Sequence, residues 1–118
     1  MKYEKGVCER ASKLDPQIAI AALIDEKGQP VDWHVKEGVP VPEENRSAVM
    51  ALQTMMVMSI AKTAADYLGE LEYLHTKMAK MDVIHFPAFD GGILAIVLKR
   101  PFDEAAVAAK ILSLLRQL

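Results

Sequence analysis

Few side chains in this sequence are suited to chemistry. Three histidines, His34, His75 and His85, and a single cysteine, Cys8, are the candidates for holding a metal, moving a proton or attacking an electrophile. Their spacing supports none of these roles. There is no His-x3-His or Cys-x2-Cys pair, so the usual helical and knuckle zinc platforms are missing. His75 and His85 fall on neighbouring predicted strands. An odd number of loop residues between those strands would set them opposite each other as a weak two-histidine site; an even number puts them on opposite faces. Cys8 has no second cysteine to pair with, and in a predicted helix it is expected to be an inert packed thiol. Neither a Gly-x-Ser-x-Gly nucleophile elbow nor a Gly-x4-Gly-Lys phosphate loop occurs. Asp90-Gly91-Gly92 joins two predicted strands instead of opening a helix, so it cannot aim helix N–H groups at a phosphate. Asp25, Glu26 and Asp32 gather near a turn as solvated charge, with no buried partner to set an acid–base role. The residues therefore predict no catalytic group, no cofactor and no metal.

The elements that would carry these groups follow from hydrophobic periodicity and turn residues. Tyr3, Val7, Ala11 and Leu14 share a stripe of a first helix that Asp15-Pro16 ends. Gln17–Asp25 is apolar almost throughout, the pattern of a strand covered on both faces. A turn at Asp25-Glu26-Lys27-Gly28 leads to the alternating strand Val31–Lys36, the second arm of a hairpin. Glu70–Lys77 and Asp82–Phe89 are further strands. After the Asp90-Gly91-Gly92 turn, Ile93–Leu98 is a second central strand. Asp103 reads as the N-cap of a closing helix whose buried stripe is Val107, Ile111, Leu114, Leu115 and Leu118, with Phe102 stapling onto Val107. The order α, β, β, α, β, β, β, α predicts an α+β domain: an antiparallel sheet with helices on both faces.

Between the two sets of strands lies the longest element, a helix over Glu43–Leu68 that contains no Gly or Pro and stops at Gly69. At about 100° per residue, Val49, Leu52, Met56, Ile60, Thr63, Ala64 and Tyr67 form one apolar arc, widened by Met50, Val57 and Leu68. This arc is expected to be core. The other side should be polar. Instead it offers Ala48, Ala51, Met55, Met58 and Ala65, with only Thr54, Ser59, Lys62 and Asp66 between them. A helix apolar on nearly all sides is covered on nearly all sides. Because methionine adapts to irregular partner surfaces, the Met55 and Met58 side is expected to meet another subunit or a partner. Arg46 and Gln53 project toward the apolar arc. They either reach out at the helix N-terminal end or bond across an interface, with Arg46 able to meet a phosphate or an acidic patch.

Composition agrees with binding as the task. The chain has 118 residues, one domain's length over 1–118, with 52% apolar residues, seven Met and only 6% aromatics. About two thirds of its surface can be buried, so one aliphatic core is expected. Fourteen basic against sixteen acidic residues, with no basic block, disfavour nucleic-acid binding. No apolar stretch reaches the roughly 18 residues of a membrane span, and the N-terminus lacks an apolar signal core. The single cysteine suits a reducing, cytoplasmic setting.

Two segments carry a family resemblance. Ala21-Ala22-Leu23-Ile24-Asp25-Glu26-Lys27-Gly28-Gln29-Pro30-Val31 resembles the opening hairpin of Roadblock/dynein light chain domains. Phe86-Pro87-Ala88-Phe89-Asp90-Gly91-Gly92-Ile93-Leu94-Ala95-Ile96-Val97-Leu98 resembles that family's last hairpin, and the Ala/Met-rich helix between them fits as well. The likeness runs over residues 3–118 through patterned positions, not invariant catalytic residues. It implies a five-stranded antiparallel sheet, Roadblock/longin-like, with the long helix on one face and the terminal helices on the other. It also implies a homodimer paired through the edge strand after the long helix, with the two long helices side by side. Mapped here, the interface would hold Ala51, Met55, Met58 and Lys62 of the helix, Leu71, Tyr73 and His75 of the strand, and Arg46 and Gln53. The resemblance further implies a non-enzymatic regulator or scaffold for a small Ras-like GTPase. The long helix is less polar than that of the dynein type, which argues against a motor role. The residues alone leave a second class open, a PAS-like small-molecule sensor with Gln53, Tyr67 and Tyr73 converging on a cavity between helix and sheet, and a purely structural scaffold is a third.

Overall fold

The computed structural model describes residues 6–118; Tyr3, placed on the first helical stripe above, lies outside them. Helix α1 (Val7–Ser12) leads to strands β1 (Ile18–Ile24) and β2 (Pro30–Val35). The long helix α2 (Glu44–Lys62) and the short helix α3 (Ala65–Leu68) follow, then β3 (Leu74–Lys77), β4 (Asp82–Pro87), β5 (Ile93–Leu98) and α4 (Glu104–Arg116). The strands form one antiparallel five-stranded sheet in the order β2-β1-β5-β4-β3. The two continuously apolar runs, β1 and β5, lie next to each other inside it, as burial on both faces demands.

Strand alternation sorts the core into two layers. On one face, Ala21 and Leu23 of β1, Ile84 and Phe86 of β4, and Leu94, Ile96 and Leu98 of β5 pack with Val7, Cys8 and Ala11 of α1 and Val107, Ala108, Ile111 and Leu114 of α4. Asp103 caps α4 by accepting from the Ala106 N–H at 3.1 Å, and Phe102 packs against the same cluster. Leu115 is only half-buried and Leu118 is exposed, so the closing stripe is narrower than its spacing suggests. Cys8 is fully buried; its N–H donates to Asp32 at 2.9 Å, and burial together with the negative charge of Asp32 pushes its thiol pKa up. It is a buried, packed thiol.

The other face carries α2. The β1–β2 turn is fixed by Asp25, whose carboxylate accepts from the N–H groups of Lys27 and Gln29, both at 2.9 Å. Gly28 completes it at φ +83°, and a Cβ there would lie 3.0 Å from Leu52 and 3.2 Å from the Met55 sulfur. Turn and helix thus meet at a position that needs both a left-handed backbone and a missing side chain. Gly28→Ala is expected to cost about 1–2 kcal/mol from the backbone conformation alone, read as a lowered urea midpoint with an unchanged slope.

Three boundaries differ from the expectation. The long helix ends at Lys62, because the Thr63 hydroxyl donates to the Ile60 carbonyl at 2.6 Å and the Thr63 and Ala64 N–H groups bond three residues back, tightening the last turn. Residues 70–73 lie outside the sheet, so β3 has four residues in place of the eight predicted. Phe89–Gly91 forms one 3-10 turn, with Asp90 at φ +55° closing the β4–β5 hairpin. The β3–β4 connection has four residues, 78–81, an even number. His75 pairs with Ile84 and His85 with Leu74, so the two histidines point to opposite faces, and a shared two-histidine site is excluded.

Candidate interaction surface

The two apolar sides of α2 are reversed relative to the expectation. Ala51 and Met58 are only 7% and 1% exposed, and Met55 is half-buried beside Gly28. Ala51 and Met58 are intrachain core, so they cannot form the partner surface assigned to them, and Met55 is partly covered by its own chain. The arc taken for core is bare instead: Met56 is 66% and Ile60 70% exposed, with Val49, Leu52 and Val57 also exposed. The cause is steric. The covered side is built from Ala51, Thr54 and Ala61, with Ala65 of α3 in the same direction, small residues of the kind that pack closely, and Met58 and half-buried Met55 fill the remaining gaps. The larger residues are left outside.

On the bare side, Arg46, Val49, Gln53, Met56 and Ile60 follow each other at alternating spacings of three and four residues. That is the seam spacing of a helix that packs along a second helix, knobs into holes. Arg46 and Gln53 are both exposed and belong to this seam, at its N-terminal end and its middle. Lys62 is exposed at the last turn. A polar side chain inside an otherwise apolar seam is the residue type that fixes register between paired helices.

The predicted strand residues are placed differently. Leu71 lies outside β3 and is half-buried. Tyr73 and His75 turn toward the α4 face. The Tyr73 hydroxyl donates to Glu104 Oε2 at 3.0 Å, and its ring lies 5.6 Å from that of Phe86. His75 Nδ1 is 2.5 Å from Glu104 Oε1 and its Nε2 is 2.7 Å from Asp82 Oδ2. Asp82 is 3% exposed and is also held by Arg100, whose guanidinium donates to the Met78 and Ala79 carbonyls at 2.7 Å as well. Burial alone would raise the Asp82 pKa, but the His75 hydrogen bond and the Arg100 charge reverse this and hold it below the ordinary carboxylate range. Partial burial opposes the charged form of His75, and the bonds to Asp82 and Glu104 outweigh it, so its pKa is raised. His85, on the α2 face, has a buried Nδ1 without a hydrogen-bond partner among the described residues, and burial pushes its pKa down.

The sensor arrangement does not form. Gln53 is exposed on α2, Tyr67 is 90% exposed on α3, and Tyr73 packs on the opposite side of the sheet. They do not converge on one cavity. No helix among the described residues is long and apolar enough to cross a membrane.

No family profile matches the sequence, and no curated protein matches it. Solved structures do. A Roadblock/LC7 domain from Streptomyces avermitilis superposes with a TM-score of 0.77 at 15% identity, over 98% of this chain and 94% of that one. The chain has the Roadblock/LC7 fold. Myxococcus xanthus MglB matches with a TM-score of 0.75 at 16% identity, over 96% of this chain and 89% of that one. An MglB structure described as having a tetrameric arrangement matches at 0.69 and 16%, over 94% and 86%. The five-stranded sheet with helices on both faces, implied by the two hairpins, is therefore borne out. Within this Roadblock/LC7 fold, the α2 seam is left uncovered, and β3 forms one free edge of the sheet. Sequence periodicity found both apolar sides of α2 but assigned them the wrong way round. The signal that separates them is residue size: the alanine-rich side is the one that lies against a sheet.

Proposed function

We propose that the protein is a cytoplasmic, homodimeric, non-enzymatic regulator or scaffold that binds a small Ras-like GTPase and modulates its nucleotide cycle. The observation that carries this reading is the exposed apolar seam of α2 in a Roadblock/LC7 fold. Contiguous bare apolar surface of this kind marks a protein–protein contact. Its helical spacing fits a second α2, and the free edge of β3 offers unpaired backbone groups to a second sheet. The tetrameric arrangement of the MglB relative supports assembly between copies. The GTPase follows from the family resemblance of the two hairpins.

Such a regulator need not supply a catalytic group. It works by binding one arrangement of the GTPase switch loops better than another, which shifts the population of that state. Arg46 is exposed at the end of the seam, and in this reading it would meet an acidic or phosphate-bearing partner surface. The test uses the purified chain with the Ras-like GTPase encoded in the same genome. A complex that survives gel filtration, together with a changed rate of nucleotide hydrolysis or exchange, is expected. Binding with unchanged rates reduces the role to a scaffold. The absence of any complex overturns the GTPase reading.

A further inference from the structure

The chain Glu104–His75–Asp82–Arg100 joins four separate parts of the fold. His75 is on the edge strand β3, Asp82 opens β4, Glu104 opens α4 and Arg100 follows β5. Both ring nitrogens of His75 lie within 2.7 Å of carboxylate oxygens, Nδ1 at 2.5 Å from Glu104 and Nε2 at 2.7 Å from Asp82. An ionised carboxylate only accepts hydrogen bonds, so both contacts are satisfied together only when both nitrogens carry protons. With both carboxylates ionised, this arrangement calls for imidazolium. In that state the cluster holds two positive charges, on His75 and Arg100, against two negative ones, on Asp82 and Glu104.

We propose that this cluster is a proton-operated clasp on the edge strand β3. On deprotonation the ring keeps one N–H and gains a lone pair, which one of the carboxylates must then face. Asp82 is buried and further held by Arg100, whereas the Glu104 side chain is 42% exposed on a helix. The remaining proton therefore stays on Nε2, toward Asp82, and the Nδ1 contact with Glu104 opens. This removes the His75 tie between β3 and α4 and leaves the pairing with β4, while Tyr73, just before the strand, keeps its own bond to Glu104. The other titrating groups facing the ring stay constant across the transition: Tyr73 is held above its ordinary value of 10.0 by its bond to Glu104, and Asp82 lies below 3.8. The Phe102 ring, 6.0 Å from His75, closes the remaining side.

The direction in pH follows from the raised pKa. The clasp is fully formed below the ordinary histidine value of 6.5 and is lost as pH rises through the higher folded-state value. Strand β3 has four residues and one strand neighbour within the chain, so its order is sensitive to a single tie. On the homodimer reading above, β3 is also the pairing edge, and association weakens over the same range.

The test is an NMR titration of the imidazole signals, with amide exchange of residues 74–77 followed on the same samples and β5 as internal reference. His75 is expected to titrate above the ordinary value. Protection of 74–77 relative to β5, corrected for intrinsic exchange, is expected to fall several-fold across that transition. Glu104→Gln, a mild change on a partly exposed side chain, should move the transition to lower pH. His75→Gln should abolish it while β5 protection persists. A His75 titration at or below the ordinary value overturns the clasp, and so does a β3 protection ratio that ignores pH. Sedimentation separates this from the dimer reading: a monomer at every pH that still shows the His75-dependent change supports the clasp and removes the dimer.

Discussion

Met56→Glu combined with Ile60→Glu is expected to turn the proposed homodimer into a folded monomer. Both side chains are large and bare on the seam of α2. Burying a Met or Ile side chain contributes about 1.5–3 kcal/mol, so losing both weakens association by about 3–6 kcal/mol. At about 1.4 kcal/mol per tenfold, the dissociation constant rises roughly a hundred- to ten-thousandfold. Carboxylates set in an apolar helix seam add a desolvation cost in the same direction. The monomer itself should barely respond, because substitutions at exposed positions usually change stability by less than about 0.5 kcal/mol. Sedimentation equilibrium reads the first effect, and urea unfolding at high dilution reads the second. Unchanged association in the double variant would remove α2 from the interface.

The second expected result is the opposite phenotype from a residue two positions along the same helix. Met58→Ala should destabilise the isolated chain by about 2–5 kcal/mol, the usual loss for a large buried aliphatic side chain replaced by alanine. Domains of this kind have only about 5–15 kcal/mol in total, so the urea midpoint should drop sharply. Met58→Glu should not yield a folded protein, since its carboxylate would be buried without a partner. Met56→Ala serves as the control and should leave the midpoint almost unmoved. Equal responses at 56 and 58 would mean that neither side of α2 faces the sheet as described.

Most of the fold was legible because its signals are local. The apolar runs Gln17–Asp25 and Ile93–Leu98 could only be interior strands, and they sit side by side at the centre. Asp103 lies where a cap is needed and makes the cap bond. The faces of α2 were not legible from periodicity. A hydrophobic pattern says how much of a helix is covered, but not which half meets its own sheet and which meets another molecule. The truncation of β3 was hidden for another reason. Its length depends on pairing with β4, and nothing within 70–73 marks where that pairing stops. Tyr73 and His75 were singled out as interface residues, but their inward hydrogen bonds depend on Glu104, some thirty positions away, which no local pattern connects to them.

Because α2 serves its own sheet with one side and the outside with the other, its two sets of residues are locked in phase. Exchanging one side chain alters one surface. Inserting or deleting a single residue between Val49 and Ile60 would turn everything beyond it by about 100°, swinging bulky side chains under the sheet and alanines out into the seam. Such a change would spoil folding and recognition together. Over evolutionary time this helix can therefore drift in composition while its length stays fixed, and variation in length is left to connections, such as residues 37–43 ahead of α2, that set neither helical phase nor strand register.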